Sequence, residues 1–263
     1  MQLGLCTISN MELPVEHVLQ VAADVGYEGV EVWGKDHLGD GDADACASIR
    51  QTAGELGLDV AVYGSYLTVG TDGFADAHER ELTIADRLGA DLIRVWPGDS
   101  EYGDHTPSEF ESAVTDLRTL AERAAERGLG VTIEKHKGRL SNTTEGARRL
   151  VDAVDHPDCG LNWQPLFVLS ERELLAEAET LAPRSNSVHL QAPAERDGDE
   201  RTLLSNAYFD IGAVLERFES AGYDGYVEVE FVSQDRPYED AVRRDHEYLR
   251  SLVEKADRDW EPH

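Results

Sequence analysis

The sequence predicts one α/β domain, a single (β/α)8 barrel. Three observations predict it. The chain has 263 residues, close to the size of about 250 residues that such a barrel needs. Short β-rich runs alternate with longer amphipathic segments along its whole length. A glycine recurs where each of several segments gives way to a run.

The β-rich runs are 3–8, 29–33, 59–63, 92–96, 130–134, 160–164, 187–191 and 226–232. The segments between them carry the helical period, as in Val18, Val21, Ala22 and Val25, or Leu117, Leu120, Ala121 and Ala124. Gly26, Gly57, Gly89, Gly128 and Gly222 stand where a helix must stop, and a strand follows within a few residues. The segment opening at Gly26-Tyr27-Glu28-Gly29 is echoed by Gly222-Tyr223-Asp224-Gly225. Repeated βα units of this kind close into a barrel more readily than they form an open sheet. No linker divides the chain, so the barrel is expected over 1–256, with a polar C-terminal tail over 257–263.

The formal net charge is -29, and lysine is reduced to Lys35, Lys135, Lys137 and Lys255. Acids are spread over the helical segments, so a folded chain repels itself unless salt screens it. A halophilic, salt-rich cytoplasm is the expected setting. A nucleic-acid surface is excluded, since it needs a basic stripe. No apolar run reaches about 18 residues, so no membrane span is expected. Met1, Gln2, Leu3, Gly4 and Leu5 form no basic and then apolar leader, so no signal peptide is expected. Cys6, Cys46 and Cys159 have neither CxxC spacing nor an even count, which suggests neither a disulfide framework nor a zinc ribbon.

Residues along a strand alternate between faces. Glu134 and His136 share one face, Asn162 and Gln164 another, His189 and Gln191 a third, and Glu228 and Glu230 a fourth. Glu31 with Trp33, and Arg94 with Trp96, repeat the pattern. Each strand thus keeps one apolar face for the helices and turns the other polar toward its C-terminal end, where function sits in such barrels. Carboxylates, imidazoles and amides converging there point to a metal site, because buried carboxylates are costly without compensation.

These residues and motifs carry a resemblance. Gly26-Tyr27-Glu28-Gly29-Val30-Glu31, Glu134-Lys135-His136, Gly160-Leu161-Asn162-Trp163-Gln164-Pro165, Val188-His189-Leu190 and the run from Gly222 to Glu230 resemble the xylose-isomerase-like TIM barrel superfamily of sugar isomerases and epimerases. The resemblance implies one divalent ion, Mn²⁺ or else Mg²⁺, Co²⁺ or Zn²⁺, held by Glu134, Gln164, His189 and Glu230. It implies that Glu134 and Glu230 are also the catalytic acid and base. Gln164 departs from the pattern, which has an Asp there, and Phe167 replaces a His. An amide oxygen still suits a hard cation but brings no charge. His136, Asn162, Gln191, Arg94, Trp96, Trp33, Tyr66 and Arg196 are the expected substrate-binding residues, the aromatic ones as an apolar wall against a sugar ring.

The expected activity is isomerisation or epimerisation of a small keto sugar or sugar acid through an enediolate. A lyase or dehydratase acting on a keto sugar or keto inositol begins with the same proton abstraction. A non-catalytic barrel or partner subunit with a degraded metal site is a third reading, raised by Gln164 and Phe167. The abasic-site endonuclease branch fits poorly, because it needs more His ligands and a phosphate-binding surface. The resemblance also implies a homo-oligomer, although the acidic helix faces show no interface. No P-loop, GxGxxG, G-x-S-x-G or HExxH motif is present, so no nucleotide cofactor is indicated.

Overall fold

The computed structural model describes residues 1–35 and 37–259, with side chains through Glu254. Eight parallel strands close into a barrel in chain order. They are β1 (Gln2–Cys6), β2 (Gly29–Trp33), β3 (Asp59–Val69), β4 (Leu92–Pro97), β5 (Gly130–Glu134), β6 (Cys159–Trp163), β7 (Ser185–Leu190) and β8 (Tyr226–Val229). A helix follows each strand: α1 (Val15–Val25), α2 (Ala43–Leu56), α3 (Phe74–Leu88), α4 (Pro107–Ala125), α5 (Thr144–Val154), α6 (Glu171–Leu181), α7 (Ile211–Ser220) and α8 (Tyr238–Asp259). Closure is made by β1 and β8, paired from Gln2↔Tyr226 to Leu5↔Val229.

The alternation read from the sequence sets the layers. Val30, Val32, Ile93, Val95, Val131, Ile133, Leu161, Val188, Leu190, Val227 and Val229 are all fully buried under the helices. Those helices return the matching stripe: Val18 and Ala22 of α1, and Leu117, Leu120, Ala121 and Ala124 of α4, are fully buried. Each such aliphatic side chain contributes about 1.5–3 kcal/mol by leaving water. Thr106 and Ser170 open α4 and α6 with reciprocal capping boxes to Glu109 and Glu173. Gly26 ends α1 at φ 104°, a conformation closed to residues with a Cβ.

One polar residue on an outer face is paired within the core. Lys135 follows Glu134 and so points away from the lumen. Its Nζ lies 2.9 Å from Glu177 Oε1 on α6, with both side chains buried. Thr144 Oγ1, at the start of α5, donates to the other oxygen of Glu177 at 2.7 Å. The end of β5 is thereby tied to α6 and, through Glu177, to the start of α5.

Three strand ends differ from the sequence pattern. β3 runs to Val69, beyond the expected end at 63. Gly64 looks like a strand breaker, but here it makes room for side chains crossing the lumen: a Cβ at 64 would sit 2.5 Å from Glu31 Oε1. β1 stops at Cys6, where a short 3₁₀ turn (Thr7–Ser9) begins. β8 ends at Val229, so Glu230 stands just past the strand. The expected polar tail overlaps α8 as far as Asp259, and 260–263 lie outside the described residues. Among the described residues no helix is long and apolar enough to cross a membrane.

The charge of -29 predicts strong salt dependence of stability. Raising KCl from about 0.1 M to about 1 M shortens the screening length from about 10 Å to about 3 Å. The melting temperature, followed by circular dichroism, rises over that range. A melting temperature that stays level or falls contradicts this.

Candidate active site

The lumen is built from residues on strands facing one another across the barrel. Arg94 on β4 forms its base. Its Nη2 lies 2.8 Å from Glu31 Oε1 on β2, and its Nε donates to both Glu31 oxygens at 3.1 and 3.2 Å. Its Nη1 donates to Glu134 Oε2 at the end of β5. His189 on β7 reaches across to the same Glu31, with Nε2 2.9 Å from Oε2. All four side chains are at least 94 % buried. Arg94, expected to contact substrate, is thus the cation of an interior network.

Two tiers result. The lower contains Cys6, Glu31, His189 and Glu228, whose donor atoms all lie within 4.8 Å of one another. Asn162 belongs to this depth: its Nδ2 donates to Ser187 Oγ at 2.8 Å, and Ser187 donates to Glu228 at 3.2 Å. The upper tier, at the C-terminal mouth, contains Glu134, Gln164, Gln191 and Glu230. Gln164 Nε2 donates to Glu134 Oε1 at 2.9 Å. Gln191 Nε2 lies 3.3 Å from Gln164 Oε1 and also donates to Glu230 Oε2. Four strand ends therefore meet, as the sequence suggested, but Gln191 is the strand-seven residue among them. His189 faces Glu31, and its Nδ1 is 3.8 Å from Glu230 Oε2.

The electrostatics of this interior are strongly biased. Glu31, Glu134, Glu228 and Glu230 are all buried. Burial alone would raise Glu31, but Arg94 and His189 overrule it and hold its carboxyl low. Burial would likewise lower His189, and Glu31 reverses this, pushing the imidazole up. Glu228 and Glu230 are pushed up by burial, with Glu31 adding to the first and Glu134 to the second. Burial thus disfavours the charged forms of Glu228 and Glu230, and a nearby cation would favour them.

The other expected residues form the rim. Trp96 Nε1 donates to Glu134 Oε2. Its ring stacks on His136 at 5.5 Å and packs edge-on to Tyr66 at 5.1 Å. Trp33 Nε1 donates to the Tyr66 hydroxyl at 2.6 Å. Together Trp33, Tyr66 and Trp96 make an aromatic wall on one side. Arg196 is 53 % exposed, and its Nε donates to the Val168 carbonyl at 2.9 Å, joining two loops away from the mouth tier. The arginine that reaches the site is Arg201, whose Nε donates to Gln191 Oε1.

The interior depends on Gly64. A Cβ there would lie 2.5 Å from Glu31 Oε1 and 2.8 Å from Arg94 Nη2. Gly64→Ala is therefore expected to cost about 3 kcal/mol, the scale of a broken buried ion pair, read by chemical denaturation. A variant as stable as the parent contradicts the network's structural role.

Comparisons place this geometry among known proteins. Over residues 19–252 the chain matches the model of the xylose isomerase-like TIM barrel family. It is 24% identical over 176 residues to a 3-dehydroshikimate dehydratase of Bacillus anthracis, covering 64% of this chain and 63% of that protein. It is 25% identical over 159 residues to an inosose dehydratase of Lacticaseibacillus casei, covering 52% of this chain and 53% of that protein. The matched segments thus span less than two thirds of either relative. Among solved structures, the IOLI protein with a bound zinc atom superposes with a TM-score of 0.78 at 17% identity, covering 97% of this chain and 99% of that one. A D-allulose 3-epimerase from Methylomonas sp. gives 0.76 at 15% identity, covering 96% and 98%. The closed eight-stranded barrel and the match over most of its length lead to one conclusion: the chain belongs to the xylose isomerase-like TIM barrel family.

Proposed function

We propose that this protein is a divalent-metal-dependent dehydratase acting on a small cyclic polyhydroxy ketone. The observation that carries the metal is the meeting of two carboxylates and two amides at the mouth, where burial disfavours the charge on Glu230 and a bound cation would compensate it. The mouth tier is the better holder. Glu134 and Glu230 offer carboxylate oxygens, and Gln164 and Gln191 offer amide oxygens once each amide turns about its last bond, which exchanges N for O and releases Gln191 Oε1 from Arg201 Nε. Such an all-oxygen set suits Mg²⁺ or Mn²⁺. In the lower tier Glu31 is already occupied by Arg94 and His189. Gln191, in place of His189, is then the strand-seven ligand.

When bound, the ion would supply a Lewis acid to the ketone oxygen. The residues supply the rest. Arg94 and Trp96 both donate to Glu134 Oε2 and Gln164 to Oε1, which fixes the Glu134 carboxylate at the mouth. Glu230 has one side-chain donor, Gln191, and the more exposed side chain of the two. We assign it as the base that removes the proton next to the carbonyl. The electron pair of the broken C–H bond becomes the new C=C bond as the C–O bond to the β-hydroxyl breaks. That hydroxyl departs as water with the proton that Glu230 had taken, which restores the carboxylate. The aromatic wall of Trp33, Tyr66 and Trp96 limits water around the ring.

Isomerases and epimerases share the first step. The two dehydratases among the relatives weigh toward elimination, and they nominate 3-dehydroshikimate and inosose as the compounds to try.

The test uses protein in about 1 M KCl, a salt level that screens its charge, with Mn²⁺ and each compound in D₂O, read by NMR. Deuterium entry at the carbon next to the ketone, followed by loss of water, is expected. Glu230→Gln reduces exchange by about 10²-fold or more, the usual contribution of a general base. No exchange with either compound overturns the reading. Gln164→Asp adds a charge to the ligand set, so calorimetry should show tighter Mn²⁺ binding. Unchanged affinity removes Gln164 from the set.

A further inference from the structure

Outside the lumen, the loop after β2 and helix α3 line a cavity of about 390 Å³. That volume lies within the range of small-molecule sites, about 300–1,000 Å³. The loop comes this close to β3 because position 34 has no side chain: a Cβ there would sit 2.7 Å from the Gly64 carbonyl oxygen. The buried side chains of Leu67 and Ile84 give the cavity an apolar floor. At its edge stand Gly39 and Gly73, where a Cβ would meet nothing within 4 Å.

The charged lining runs against the balance of the chain, in which acids outnumber bases by 53 to 24. Among the described lining residues the charged groups are two cations, Lys35 and Arg80, and one carboxylate, Glu81. Glu81 is engaged with the wall, where it accepts the Tyr63 hydroxyl at 2.7 Å. Lys35 Nζ rests 4.0 Å from the centre of the Tyr66 ring, and Arg80 Nη2 donates to the Asp40 carbonyl at 3.2 Å. A ring face and a carbonyl orient the two cations without cancelling their charge. Two cations less one carboxylate leave one positive charge. That balance suits a carboxylate better than a phosphate, which brings about −1.5 to −2. The apolar floor calls for an apolar body behind the charged group.

The cavity also borders the active site. Tyr66 lines it, and the same residue belongs to the aromatic wall: its hydroxyl accepts from Trp33 Nε1 at 2.6 Å, and its ring lies 5.1 Å from that of Trp96. A ligand that draws on Lys35 acts on the ring where Lys35 rests.

We propose that this cavity is a second binding site, for a small organic carboxylate with an apolar body, and that Tyr66 carries its occupancy to the aromatic wall. The site needs neither the metal nor the elimination, so it stands or falls apart from the dehydratase reading.

Hexanoate and hexanamide share a shape and differ by one charge. Each is titrated into the full chain at a constant salt level of about 1 M, which screens the surface acids. Ligand-observed NMR reads binding, and tryptophan fluorescence reads the wall. Hexanoate should saturate one site and bind about threefold or more tighter than hexanamide, the scale of ion contacts at exposed cations. It should also shift the tryptophan emission, since Trp33 and Trp96 both touch Tyr66. Arg80→Gln should bring the two probes level. Gly73→Leu, at a φ of −77° that any residue adopts, should weaken both by filling the cavity edge. No saturable binding of hexanoate overturns the site, and equal binding of acid and amide by the parent protein does the same. So does a preference for the acid that survives Arg80→Gln, or hexanoate binding unchanged in Gly73→Leu, because the probe then lies elsewhere. Binding that leaves the emission unchanged overturns the coupling through Tyr66. The acid-to-amide comparison uses the unaltered protein, so it holds even if a variant fails to fold.

Discussion

The structure depends on the problem of holding four carboxylates inside a barrel. Glu31, Glu134, Glu228 and Glu230 are each removed from water, and an isolated buried carboxylate is not tolerated. Arg94 settles half of the problem by gripping Glu31 with a fork and Glu134 with the remaining nitrogen. His189 takes the far side of Glu31. These contacts cross from β4 to β2 and β5, and from β7 to β2, so the network also fixes how the strands face one another. The same network holds the Glu134 carboxylate in place at the mouth. A stabilising ion pair and a prepared ligand are here one device.

The carboxylates also give the barrel its functional polarity. In the lower tier Glu31 is filled by Arg94 and His189, while Glu228 Oε1 and His189 Nδ1 have no hydrogen-bond partner among the described residues. The upper tier ends in two amides whose nitrogens now point at carboxylates and whose oxygens become available by rotation. Such a tier has the chemistry of a hard-cation site, and its aromatic rim matches a ring-shaped substrate. Behind it, the buried pair of Lys135 and Glu177 ties the end of β5 to α6, so the backbone next to Glu134 is held from both sides of the strand.

Much of this was legible in the sequence. Strand parity alone separated the lumen residues from the helix-facing ones, because a period of two is rigid. That placed Glu134, Gln164, Gln191 and Glu230 on polar faces near strand ends. Parity says nothing about depth, however. His189 and Gln191 share a face two residues apart, and only coordinates show that the first faces Glu31 and the second meets Gln164 and Glu230. Arg94 had the parity of a substrate contact and turned out to be a structural cation, since its partner Glu31 lies two strands away. Glu31 and Glu228 were visible as polar strand residues, but their partnership with Arg94 and His189 is a long-range property. That Arg201 reaches Gln191 while the expected Arg196 does not was out of reach, because the loop after β7 has no periodicity to read.

The central claim is that the mouth tier supplies the ligands of one divalent ion. Titrating metal-stripped protein with Mn²⁺ by calorimetry, in about 1 M KCl to screen surface acids, tests it most directly. The account predicts one ion per chain, with binding abolished in Glu134→Gln and kept in Cys6→Ser. No saturable binding, or binding lost in Cys6→Ser and kept in Glu134→Gln, would contradict it.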